Sequence, residues 1–171
     1  MTLRIRWKLT FLAVFLTALV GQPGRSDPVK SPALEIVPDS GEKLSLSAAD
    51  LAKLPQNELV AKDHRGEEAK YTGVLLADVL KSAGVSLGEK LRGRLLMNVV
   101  IVEAADKYSV AFSLPEVDPE WSHAVVLIAT SRNGGPLDAQ HGPFQIVSSA
   151  DKRHSRWVKN VARLTVRDAS K

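Results

Sequence analysis

Two short β-branched runs, Asn98-Val99-Val100-Ile101-Val102 and Ala124-Val125-Val126-Leu127-Ile128, constrain the fold more than any other feature of this 171-residue chain. Both are short, β-branched and of central-strand length. Tyr108–Phe112 lies between them as a third strand candidate. Leu44-Ser45-Leu46-Ser47 alternates apolar and polar, the mark of a half-buried strand. Glu58–His64 reads as another, with Arg65-Gly66-Glu67 as its turn. Asn133-Gly134-Gly135-Pro136 is a strong turn signal, because those residues tolerate positive φ.

Helical signals are fewer. After a lead containing Pro28, Pro32 and Pro38, Ser47-Ala48-Ala49-Asp50 opens like a capping box and predicts a short helix through Leu51 and Leu54, stopped at Pro55. Leu75, Leu76, Val79 and Leu80 recur at helical spacing, with Gly84 placed for a left-handed C-cap. Trp157–Val166, with Val158, Val161, Leu164 and Val166, fits neither the helical nor the strand period. No repeat or low-complexity tract interrupts the chain. The expectation is one α+β domain, sheet-rich, with a few short helices.

The N-terminal segment reads as a targeting signal. Arg4, Arg6 and Lys8 precede the apolar run Leu9–Val20, and Gly21-Gln22-Pro23-Gly24-Arg25-Ser26 follows as a small, helix-breaking zone. Twelve residues at about 1.5 Å rise cover about 18 Å, short of a hydrocarbon core of about 30 Å. A secretory signal peptide over residues 1–26 is therefore expected, with an uncleaved anchor as the lesser alternative and the cut anywhere from Gly21 to Ser26. The expected address is the periplasm, with no stable membrane insertion once the signal is removed.

Charge narrows the function. The chain carries 23 Lys+Arg against 19 Asp+Glu, but four of the basic residues belong to the leader and none of the acidic ones, so residues 27–171 balance at 19 and 19. Nucleic-acid binding, which needs a surplus of cations facing phosphates, loses its compositional basis. The balance is uneven along the chain: residues 152–171 hold seven basic side chains and one acidic, while 27–151 hold 12 and 18. A local anion site suits that division better than a broad polyanion surface. The chain has no cysteine, which excludes disulfides, thiolate–zinc and iron–sulfur ligation, and thiol catalysis.

His141-Gly142-Pro143 follows the Asn-Gly-Gly-Pro turn closely, so two loops and one imidazole are expected to meet at a sheet end. Asp151-Lys152-Arg153-His154-Ser155-Arg156-Trp157 then gathers cations in one short span. The plain alternative for that span is a solvated face, and for His141 a structural histidine. No Walker loop, dinucleotide fingerprint, nucleophile elbow or paired-histidine zinc spacing occurs.

Five landmarks in order, Tyr71-Thr72-Gly73-Val74-Leu75-Leu76-Ala77-Asp78-Val79-Leu80, Ala105-Asp106-Lys107-Tyr108-Ser109, Gly134-Gly135-Pro136-Leu137, His141-Gly142-Pro143-Phe144-Gln145-Ile146-Val147 and Arg153 through Val161, resemble the molybdopterin-binding domain of sulfite-oxidase-type oxidoreductases. The resemblance spans about residues 57–167 and implies the sulfite-oxidase-type mixed fold for a single domain over 27–171. Active members of that family hold molybdenum through a pterin dithiolene and one cysteine thiolate, and transfer an oxygen atom. Carried over by position, His141, Arg153 and Arg156 are implied as cofactor-binding residues and molybdopterin as the cofactor. The family cysteine falls near Ala61, so the soft thiolate is absent. Gln145 stands where an arginine is usual, and Ser148 or Ser149 where a proline is. Small exported domains of the family often lack the cysteine.

Three functions follow as expectations. The leading one is an exported domain that keeps the scaffold and part of the anion pocket without metal catalysis of its own, binding a pterin cofactor or another small anion, or serving a redox partner protein. The second is a molybdenum oxidoreductase with an oxygen or solvent ligand in place of the thiolate, Asp63 being the candidate for a hard oxygen ligand. The third is a protein-interaction module presenting a sheet edge or its basic C-terminal face.

Overall fold

The computed structural model describes residues 32–171. The expected signal segment, 1–26, lies outside the described residues. Strand β1 (Ala33–Val37) pairs antiparallel with β2 (Leu44–Ser47), whose alternation predicted it. Helix α1 (Ala48–Leu51) starts with the expected capping box: the Asp50 amide donates to Ser47 Oγ at 3.2 Å, and the Ser47 amide donates to Asp50 Oδ2 at 3.1 Å. Lys53 and then Ser47 donate to the Asp50 carboxylate and hold its pKa down to about 2 from 3.8. A depressed carboxylate contributes stability above its unfolded pKa and loses it as pH falls through the folded value. The cap is therefore expected to persist at pH 3 and to open near about pH 2, which a carboxyl-detected NMR titration of Asp50 would read.

Strands β3 (Gln56–Lys62) and β4 (Glu68–Leu75) form a hairpin. The strand expected over Glu58–His64 begins two residues earlier and ends at Lys62, because Asp63 leaves the ladder to accept hydrogen bonds from the amides of Arg65, at 2.8 Å, and Glu67, at 3.1 Å. Helix α2 (Leu76–Ser82) buries Leu76, Ala77, Val79 and Leu80, and Gly84 closes it at φ +81°. Strands β5 (Asn98–Ala104) and β6 (Ser109–Ser113) pair antiparallel, and α3 (Leu114–Val117) follows, capped by Ser113. Strand β7 (Val126–Arg132) starts later than Ala124, since the amides of Ala124 and Val125 donate to the hydroxyls of Ser122 and Ser149 rather than to a ladder. After the Asn133-Gly134 turn come β8 (Gly135–Pro136), β9 (Gln145–Ser148) and β10 (Val161–Asp168).

These strands make two sheets. One runs β2-β1-β10-β5-β6; the other runs β3-β4-β7-β8, with β9 also on β7. Strand β10 lies parallel to β1 and antiparallel to β5, and its register with β5 shifts between Val161 and Arg163. That bulge is why the segment matched no single period: one extra residue transposes the faces of everything after it.

The main core joins Leu34, Ile36, Val100, Val102 and Leu164 of the first sheet to Val74, Ile128 and Ile146 of the second, with α2 packed among them. The opposite face of the second sheet buries a smaller cluster of Ala69, Tyr71, Leu127, Ala129, Val147 and Trp157. Strand β7 thus has partners on both faces, Ile128 in one cluster and Leu127 in the other, which accounts for its unbroken apolar run. No described helix is long and apolar enough to cross a membrane.

Candidate functional site

A cavity of about 870 Å³ opens beside the smaller cluster. Tyr71 of β4, Arg132 at the end of β7 and Gln145 of β9 line it from the sheet, the β3–β4 turn contributes Lys62 to Gly66, and the loops contribute Asp138, His141 and Lys152 to Ser155. Trp157 and Lys159 complete the wall. The lining holds six Lys or Arg side chains against Asp63 and Asp138. Among the described residues, Lys62, Arg65, Lys152, Arg153 and Lys159 enter no ion pair.

The segment 152–157 crosses the cavity mouth as a strap fastened at two points. On one side His154 Nε2 donates to the Lys62 carbonyl at 2.8 Å; the carbonyl only accepts, so that nitrogen carries a proton. On the other side Tyr108 Oη donates to the Ser155 carbonyl at 2.7 Å. Trp157 is 6% exposed and meets Tyr71 edge-on at 5.8 Å and His154 at 4.3 Å between ring centres. Its buried Nε1 has no hydrogen-bond partner among the described residues, and neither has Arg132 Nε. A second hollow of about 420 Å³ shares Gln140, His154, Ser155, Trp157 and Lys159 with the first and has apolar walls from Ala104, Ala105 and Val158.

Asp63 is fully engaged. Its Oδ1 accepts the two turn amides and its Oδ2 accepts from Arg132 Nη2 at 2.8 Å. Burial pushes its pKa up, but the amides of Arg65 and Glu67 and the Arg132 charge outweigh that and hold it below the usual range. Asp63→Asn is expected to tighten binding of a small divalent anion such as sulfate several-fold, since it removes a negative charge from the lining and frees Arg132. Titration calorimetry checks this, and a weaker anion affinity would count against it.

Of the three residues the sequence put forward, the structure brings His141 and Arg153 to one cavity and places Arg156 elsewhere. Arg156 Nε donates to Asp151 Oδ1 at 3.0 Å, Nη2 donates to Glu116 Oε1 at 2.8 Å and also to Asp151, and the guanidinium lies 4.4 Å from the Phe112 ring centre. Two carboxylates within reach, Glu116 above all and then Asp151, have captured it and raise its pKa. Sequence reading missed Arg132 and Asp138. Asp138, three residues before His141, was findable as the acceptor of a local turn; Arg132 was not, because its link to Asp63 spans 69 residues.

Ala61 stands half-buried on β3 opposite Ala69, directly before Lys62 of the cavity. Among the described residues no group of three or more His, Asp or Glu is placed to hold a metal ion. The side chains present fit the phosphate of a pterin cofactor, for which free cations and unpartnered N–H donors are the right chemistry, and offer no thiolate to a metal.

Two packed sheets with few short helices, and a cation-lined cavity on the outer face of one, define a mixed α+β domain of the sulfite-oxidase type. Residues 27–171 match the family model described as oxidoreductase molybdopterin binding domain, and the chain belongs to that family. The fold is similar to the crystal structure of the sulfane dehydrogenase SoxCD from Paracoccus pantotrophus, with a TM-score of 0.62 and 20% identity over 80% of this chain. The match spans 38% of the SoxCD chain, well under half its length. No curated protein matches the sequence.

Proposed function

We propose that this domain is an exported, periplasmic member of its family that binds the phosphate of a molybdopterin-type cofactor or another small anion without metal catalysis of its own, in the service of a redox partner protein. The observation that carries the reading is the lining of the larger cavity: five basic side chains without ion pairs among the described residues, together with Arg132 Nε and Trp157 Nε1, which have no partner among them. The adjoining apolar hollow behind Trp157 suits a flat ring attached to such an anion. Asp63, the candidate hard oxygen ligand for molybdenum, has both oxygens accepting from protein donors, which speaks against Asp63 in that role.

Purification from a host that makes molybdenum cofactor, followed by elemental analysis, pterin fluorescence and sulfate titration, tests this. The expected result is pterin or sulfate binding with molybdenum far below one per chain. Stoichiometric molybdenum would overturn the non-metal reading. Absence of both pterin and sulfate binding would overturn the anion reading. Charge reversal of Lys152 and Arg153 together is expected to abolish the binding, because both cations line the cavity and neither is held in an ion pair.

A further inference from the structure

We infer that His141 takes up a proton as the cavity receives an anion, so that capture is coupled to pH. This rests on the anion-binding reading above. Asp138 Oδ1 accepts from the amide of Gln140 at 2.9 Å, the amide of His141 at 3.0 Å and His141 Nδ1 at 2.7 Å. The hydrogen bond from His141, followed by the local amides, holds the Asp138 pKa below the usual carboxylate range, although some burial opposes this. An ionised carboxylate only accepts, so the proton of a neutral His141 ring sits on Nδ1. Nε2 is then a bare lone pair, and it has no partner among the described residues. The side chain is 19% exposed and lines the cavity.

A fully ionised anion such as sulfate carries acceptors only. Against neutral His141 it meets lone pair with lone pair. One proton on Nε2 turns that contact into a charge-assisted hydrogen bond and leaves the Asp138 bond intact.

The surroundings couple the two events. On the strap stand Lys152, Arg153 and His154; before β10 stands Lys159. The β3–β4 turn presents Lys62, Asp63, His64 and Arg65, and β7 presents Arg132, whose charge Asp63 shares. This cationic field opposes a further positive charge on His141, while Asp138, at 2.7 Å, and the Asp63 carboxylate favour it. An anion cancels the field, and the imidazolium then has a negative partner on each side. By linkage, what favours the proton when the anion binds favours the anion when the proton binds. His154 is placed differently, because its Nε2 donates to the neutral Lys62 carbonyl and, among the described residues, no carboxylate stands beside its ring to offset a positive charge.

Sulfate is the probe, since its own charge does not change between about pH 5.5 and 8, where histidine titrates. Titration calorimetry in two buffers of different ionisation enthalpy counts the protons. The expected result is uptake approaching about one proton per sulfate, with affinity falling toward about tenfold per pH unit on the alkaline side. His141→Gln is expected to bind sulfate with no proton uptake and a flat pH profile, whereas His64→Gln and His154→Gln keep the slope. Binding that is independent of pH in the wild type would overturn the coupling and leave the anion reading standing. A slope that survives in His141→Gln would also overturn it, by assigning the proton to another group. No sulfate binding at any pH would overturn both.

Discussion

Gly73→Ala is expected to leave little folded protein. Gly73 lies on β4 opposite Ala129, at the register shift where β4 meets β7. A Cβ there would sit 2.0 Å from the Ile128 carbonyl oxygen and 2.7 Å from Ala129 Cα. Both are backbone atoms, so no rotamer change relieves the clash. Relief requires β4 and β7 to part, and that would open the side chains of Leu127 and Ile128, which are fully buried on opposite faces. The cost is expected to be about 3 kcal/mol or more, a large share of the roughly 5–15 kcal/mol that holds a typical domain. Urea unfolding followed by circular dichroism reads it. Any protein that does fold should bind sulfate weakly, since Arg132 ends the displaced strand. A midpoint near that of the wild type would show that the two strands have slack the structure does not display.

Arg156→Met is expected to separate stability from binding. The substitution keeps an apolar stem over Phe112 but leaves Glu116 and Asp151 without their cation, and the Asp151 side chain is only 8% exposed. Breaking a buried pair by removing one partner costs about 3–5 kcal/mol; Arg156 and Glu116 are partly solvated, so about 2–3 kcal/mol is the fitting expectation. Sulfate affinity should change by less than about twofold, because the Arg156 side chain does not line the cavity and its charge is already matched by Glu116 and Asp151. The opposite pattern, intact stability with lost anion binding, would return Arg156 to the site where its sequence neighbours suggested it belonged.

What was legible in the sequence followed from local causes. The capping box at Ser47 and Asp50, the stop at Gly84 and the alternation of Leu44–Ser47 depend on residues within a turn or two of one another, and each formed as its pattern predicts. The ends of β3 and β7 were displaced because single side chains, the Asp63 carboxylate and the Ser122 and Ser149 hydroxyls, competed for backbone amides. The site was legible in part for the same reason. His141 and Arg153 could be named from loop composition, but whether Arg156 joins them depends on Asp151, five positions before it, and on Glu116, forty positions away, and only the first of these lies within reach of a local pattern. The floor of the cavity is equally non-local, since Tyr71 and Arg132 meet only through the pairing of β4 with β7.

The order in which the chain is made adds a constraint of its own. Strand β10 follows every other strand in sequence yet lies between β1 and β5. Until Val161–Asp168 is in place, those two strands have an unfilled gap between them, and the sheet remains two separate hairpins with open inner edges. Closure joins segments from opposite ends of the domain, a slow kind of contact to form. Lys152, Arg153 and Lys159 lie just ahead of that strand, so half of the cavity's cations and the keystone of the sheet take their places together. A chain cut at residue 150 would lack that strand and half of the cavity's cations, so anion capture would mark molecules whose sheet has closed.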